Sequence, residues 1–143
     1  MPYQFKTLTY WVLITNCLIL IGAGHGAGPL ILFEAILFAT VHSYNDYNFC
    51  IGFNCTYDNS LLAVAFISLI GQILLVISIF RKSNRLRLIS IIALLLAFAL
   101  LCHNFQNDNA AIFSFVSGFV FLALSVILIY FQLRQKKSED VAP

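Results

Sequence analysis

The sequence predicts an all-α membrane protein, a four-transmembrane-helix bundle whose long first helix is interrupted near Gly22 to Pro29. Three observations predict it. Of 143 residues, 61% are hydrophobic and 10% charged, with a mean hydropathy of +0.92, whereas soluble domains carry about 25% charged residues. The apolar residues extend over nearly the whole chain, which leaves no room for a separate soluble domain and indicates one membrane domain over residues 1–143. The eight Lys and Arg fall in only three places: Lys6, the cluster Arg81, Lys82, Arg85 and Arg87, and the tail with Arg134, Lys136 and Lys137.

That distribution sets the expected orientation. The gaps holding Asp46 and Asp58, and Asp108, contain no Lys or Arg, so basic and basic-free gaps alternate along the chain. The positive-inside rule then places both termini and the Arg81 loop in the cytoplasm, and the expected location is a bacterial inner (plasma) membrane. Basic residues confined to short loops at span ends are not a nucleic-acid footprint, so the expected partners are the lipid bilayer and other membrane subunits. The amino-terminal segment has the outline of a signal peptide, but its basic region is Lys6 alone, and it is read as retained.

The first apolar run, Thr7 to His42, holds 36 residues, although a helix of about 20 residues crosses the hydrocarbon core. Lys6 inside and an outer gap from Ser43 to Ser60 demand an odd number of crossings, so one crossing plus an added piece is the simplest solution. Four glycines between Gly22 and Gly28 weaken helix, and Pro29 lacks an amide donor and disfavours helix in the residue before it. We therefore expect a span over residues 8–25 and a short outer piece over 30–42 that lies at, or re-enters from, the outer face. The competing reading is one long kinked helix, in which Gly22 with Gly26, and Gly24 with Gly28, form GxxxG packing pairs.

The remaining elements are plainer. Residues 61–80 form a span ended by Arg81, residues 88–103 a third, and residues 110–131 a fourth, while 135–143 read as a disordered tail. Helices in lipid associate through small and polar residues, because lipid tails are as apolar as leucine. Ala111, Ser114, Gly118 and Ser125 make one such stripe, Ser90, Ala93 and Ala97 a second, and Ser68 with Gln72 beside Gly71 a third. These read as helix seams, with a pore lining of Ser68, Gln72 and Ser114 as the alternative.

Glu34 is the one acidic residue inside an apolar run, and an ionisable group at membrane depth is costly enough to be paired, wet or functional. His25 is its expected partner if the chain reverses at the Gly-Pro break, with the exposed backbone of Gly24 and Gly26 completing a ligand or ion site, as at the broken helices of transporters. His25, His42 and His103 are expected at the outer boundary, in one layer with Glu34. They are weak candidates for a metal or haem centre, because their spacing matches no metal signature and no cofactor is expected. Cys50 and Cys55, in the outer gap, are expected to form a disulfide.

No catalytic residues stand out. The sequence therefore points to a non-enzymatic component that binds or conducts a small solute or ion, or to a subunit of a membrane assembly, either of them as a homo-oligomer or in a complex. The alternative is a membrane redox protein using the outer histidines or the Cys50/Cys55 pair, although no Cys-x-x-Cys pair is present.

Overall fold

The computed structural model describes residues 3–23, 26–39, 50–52, 55–103 and 108–139. Five helices and a β-hairpin follow one another: α1 (Tyr3–Cys17), β1 (Leu20–Ala23), β2 (Gly26–Pro29), α2 (Leu30–Ala39), α3 (Tyr57–Arg81), α4 (Asn84–Cys102) and α5 (Asn109–Glu139). Three helical stretches, Tyr57–Arg81, Asn84–Cys102 and Asn109–Arg134, are long and apolar enough to cross a membrane. Their outer faces carry exposed Phe66, Ile73, Phe80, Ile92, Val116 and Phe119, apolar surface suited to contact with lipid.

The first element departs from the expectation of a helix over 8–25. Helix α1 has 15 residues, about 22 Å at 1.5 Å per residue, short of a full crossing. Where a continuous helix or a simple break was expected, the Gly-Pro run forms an antiparallel hairpin, with Leu20 opposite Pro29, Ile21 opposite Gly28, Gly22 opposite Ala27 and Ala23 opposite Gly26. The physical reason is backbone satisfaction. A glycine-rich stretch unsuited to helix would leave bare N–H and C=O groups in an apolar surround, and the β-branched and apolar residues before it supply a partner strand. The helix thus ends five residues before the first glycine.

Pro29 fits this ladder. Leu30 N–H donates to Ile19 C=O at 2.7 Å, so alternation makes Leu20–Pro29 a pair whose amide positions point away from each other, and the missing proline donor leaves no gap. Helix α2 starts directly after it, at the residue where the returning strand meets the end of α1.

Together α1 and β1 run the length of α5. Phe5 near the start of α1 meets Phe131 edge to face, with ring centroids 6.2 Å apart, while Leu20 N–H donates to Ser117 Oγ at 3.0 Å and Gly22 abuts Ala110. A strand rises about 3.3 Å per residue against 1.5 Å in a helix, so a short strand completes what the short helix leaves undone. The first long apolar run is a half-helical, half-extended element followed by a returning piece.

Around it, α1 packs on α5, α5 on α4, α4 on α3 and α3 on α1, and α2 lies against α3. The small-residue stripes are the seams of this ring. Ala111, Ser114, Gly118 and Ser125 are buried in α5, as are Ser90 and Ala97 in α4 and Ser68, Gly71 and Gln72 in α3. A Cβ at Gly71 would come within 2.7 Å of Leu94 Cδ2. At Gly118 a Cβ would overlap the Phe98 ring, which is held between Phe115 (6.2 Å) and Phe121 (5.7 Å). Gly118→Ala is accordingly expected to destabilise by about 1–3 kcal/mol through overpacking, read as a lower midpoint in denaturant titration of the detergent-solubilised protein.

The α3–α4 turn closes on Lys82 in the left-handed conformation (φ 51°), its N–H bonding Ser78 C=O, and Ser83 caps α4 by accepting from Leu86 N–H. At the other end α5 continues to Glu139, into the tail expected to be disordered from residue 135. Gln, Lys and Glu are good helix formers, and no proline or glycine stops the helix there.

Candidate functional site

Four polar side chains from three helices meet inside this apolar assembly. Helix α1 buries Phe5, Thr9, Val12 and Asn16 at steps of three and four residues, one stripe with Asn16 at its end. The hairpin then returns the chain, and one turn into α2 Glu34 follows Leu30 on the buried side, with Ile31, Leu32 and Ile36 facing out. Helix α3 contributes Ser68 and Gln72, again one turn apart. Relative exposures are 1% for Asn16, 2% for Glu34, 0% for Ser68 and 7% for Gln72.

Gln72 is the hub. Its Nε2 lies 2.9 Å from Asn16 Oδ1, 3.0 Å from Glu34 Oε1 and 3.3 Å from Ser68 Oγ. An amide nitrogen carries two hydrogens, so the two shorter contacts take them, and the Ser68 hydroxyl donates in turn to Asn16 Oδ1 at 3.2 Å. Turning the amide over would set its oxygen against two acceptors, Asn16 Oδ1 and Glu34 Oε1, which favours this orientation. Glu34 Oε2 is buried and has no hydrogen-bond partner among the described residues.

The depth of the cluster follows from α3. Gln72 lies 15 residues beyond Tyr57 and nine before Arg81, about 22 Å and 14 Å along the helix axis. Glu34 therefore sits at mid-height of the long helices and not, as expected from the sequence, in one layer with His103. His103 lies at the Tyr57 end of α3, where its ring nitrogens lie 2.6 Å from Leu100 C=O and 2.6 Å from Cys55 C=O, tying the end of α4 to the Cys50–Cys55 loop. Cys50 and Cys55 form the expected disulfide, with Cα atoms 5.9 Å apart.

Above the cluster a second polar contact seals the hairpin. Tyr57 hydroxyl and Ser114 Oγ are 2.8 Å apart and buried, and the hydroxyl also reaches the Gly22 backbone. Ser114 thus belongs to the contact with Tyr57, and Ser68 and Gln72 to the cluster with Asn16 and Glu34.

Of the residues singled out for a ligand or ion site, Glu34 is placed at the centre of the cluster and Gly26 on the exposed side of the hairpin. His25, Gly24 and His42 lie outside the described residues. Among the described residues no three His, Cys, Asp or Glu side chains come together to hold a metal. Asn16 is the residue the sequence reading missed. Its signal was available in the spacing of Thr9 and Asn16, two polar residues seven apart on one helical stripe of an apolar run.

Comparisons with protein-family models, with curated proteins and with solved structures find no match to this chain.

Proposed function

We propose that the protein is a small polytopic membrane component, not an enzyme, that binds or conducts a small solute or ion at the Glu34 centre. His25, Gly24 and Gly26 are assigned to the same site on the sequence of the Gly-Pro run alone. One observation carries this reading: a carboxyl group sits in the interior of an apolar assembly, held on one oxygen by Gln72 and, among the described residues, unpartnered on the other. Plain helix packing does not need such a group, and an ionisable side chain at this depth marks a pathway or binding site far more often than a structural contact.

In this reading the chain crosses the membrane four times with both termini cytoplasmic, the first crossing being α1 with β1, and α2 dips back into the interior. Three long helices and one composite element enclose little volume, so the working unit is a homo-oligomer or a subunit of a larger membrane assembly, in the inner membrane of a bacterium. Reconstitution tests it. Proteoliposomes with imposed proton and sodium gradients are expected to show flux that Glu34→Gln lowers about tenfold or more, with helix content and oligomeric state unchanged. Flux unaffected by this replacement rejects the reading.

A second reading, thiol exchange at the outer face, is favoured by the Cys50–Cys55 disulfide alone. It requires that Cys50→Ser with Cys55→Ser abolish a disulfide-exchange activity, measured with a reduced thiol substrate.

A further inference from the structure

The identity of the species handled at Glu34 follows from charge and hydrogen-bond accounting within the cluster, and the argument rests on the reading that this centre is the functional one. The four side chains Asn16, Glu34, Ser68 and Gln72 include no cation, and no ion pair to Glu34 occurs among the described residues. On the elements packed around it, α1 presents the Cys17 thiol within electrostatic range, while α3 presents only uncharged Ser68 and Gln72. The described part of β2, Gly26–Pro29, carries no titratable side chain.

Two states of the carboxyl can be compared. An ionised carboxylate removed from water with no cation beside it loses its hydration and gains no counter-charge. A neutral carboxyl with its hydroxyl unsatisfied loses one hydrogen bond, a smaller cost. The neutral form is favoured. A metal cation would be an alternative counter-charge, but it needs several free oxygens, about six for the common hard cations. Here Glu34 Oε1 and Asn16 Oδ1 already accept from Gln72, and the Ser68 hydroxyl is shared between Asn16 and the Glu34 carboxyl. Among the described residues one oxygen, Oε2, remains open.

We propose that Glu34 is a reversible proton-binding site in the membrane interior, with the proton carried on Oε2 while Gln72 holds Oε1 as the carbonyl end. The step balances simply. A proton delivered from water forms the Oε2–H bond and is returned to water on the other leg, with no electron transfer and no change in heavy-atom bonds. The fixed hydrogen bond to Oε1 sets which oxygen exchanges, so Gln72 is a positioning residue and Glu34 the group that carries the proton.

Infrared difference spectroscopy of the full-length protein in lipid nanodiscs tests this. Titration between acid and alkaline buffer is expected to reveal a protonated-carboxyl carbonyl band that loses intensity as pH rises and shifts in heavy water. The band should be absent in Glu34→Gln and retained, displaced, in Glu34→Asp. In Gln72→Leu it should move to higher frequency, because its carbonyl has lost a donor. Absence of any band removed by Glu34→Gln overturns the proposal, as does a band that neither titrates nor exchanges.

The same preparations separate this proposal from the broader reading. If Glu34→Gln abolishes sodium flux while the carboxyl stays ionised throughout and its carboxylate bands respond to added sodium, the site binds a metal cation and the proton assignment is wrong, with Glu34 still the functional centre. If flux is unchanged in Glu34→Gln, the functional reading itself fails, whatever the spectrum shows.

Discussion

Replacing Gln72 by leucine is expected to cost about 1–3 kcal/mol of stability, and to do so without creating a cavity, since the two side chains are of similar volume. The loss comes from what is left behind. Glu34 Oε1 would lose its donor at 3.0 Å while Oε2 has none among the described residues, so a carboxyl with 2% exposure would keep only the Ser68 hydroxyl, which Asn16 also draws on. Asn16 is buffered against the same change by the Ser68 hydroxyl, which is why Ser68→Ala, leaving the Gln72 donor in place, is expected to be the milder replacement. Equilibrium unfolding in mixed micelles ranks the two. A Ser68→Ala variant less stable than Gln72→Leu would mean that the amide is not the hub.

The second large effect is expected at the hairpin, where it separates two accounts of the glycine run. A Cβ at Gly22 would lie 3.1 Å from Ala110 Cβ, whereas at Gly26 and Gly28 it would meet nothing within 4 Å. Gly22→Leu must therefore push β1 off the start of α5, at about 1–3 kcal/mol for overpacking, while Gly26→Leu projects into open space and changes stability little. A continuous helix packed through GxxxG pairs makes the opposite forecast. Gly22 and Gly26 would then share one face, and both replacements would be disruptive. Thermal unfolding of the two variants side by side decides the matter. Because Glu34 reaches its partners only by way of the hairpin, Gly22→Leu should also lower flux, and Gly26→Leu should not do so by this route.

Much of this organisation was legible in the chain. The excess length of the Thr7–His42 run, the glycines and Pro29 together announced a break and a returning piece, and the isolation of Glu34 in an apolar run singled out the carboxyl that the fold buries against Gln72. Apart from the carboxyl end of α5, which runs on to Glu139, the three long helices could be bounded within a few residues because Arg81, Arg87 and the Asn-rich stretch before Asp108 interrupt the hydropathy. The small-residue stripes gave the seams.

What could not be read was the nature of the break. Leu-Ile-Gly-Ala suits a helix end or a strand equally on local grounds, and only the pairing with Gly26–Pro29, a non-local contact, selects the strand. That choice shifts every depth assignment after it. With β1 rising twice as fast per residue as a helix, Glu34 is brought back past the hairpin base to the level of Asn16, deeper than a simple count of residues places it. Asn16 was overlooked for the same reason, being counted as part of an uninterrupted apolar span instead of the last turn of a short helix.

The central claim is that Glu34 and Gln72, 38 residues apart, share one buried hydrogen-bonded centre. A double-mutant cycle tests it most directly, using Glu34→Leu, Gln72→Leu and the double variant, with unfolding free energies measured in the same micelles. The account predicts that the double replacement recovers much of what Gln72→Leu loses, giving a coupling energy of about 1 kcal/mol or more, within the range for residues in one network. Strict additivity, with the two losses summing to within about 0.5 kcal/mol, would contradict it.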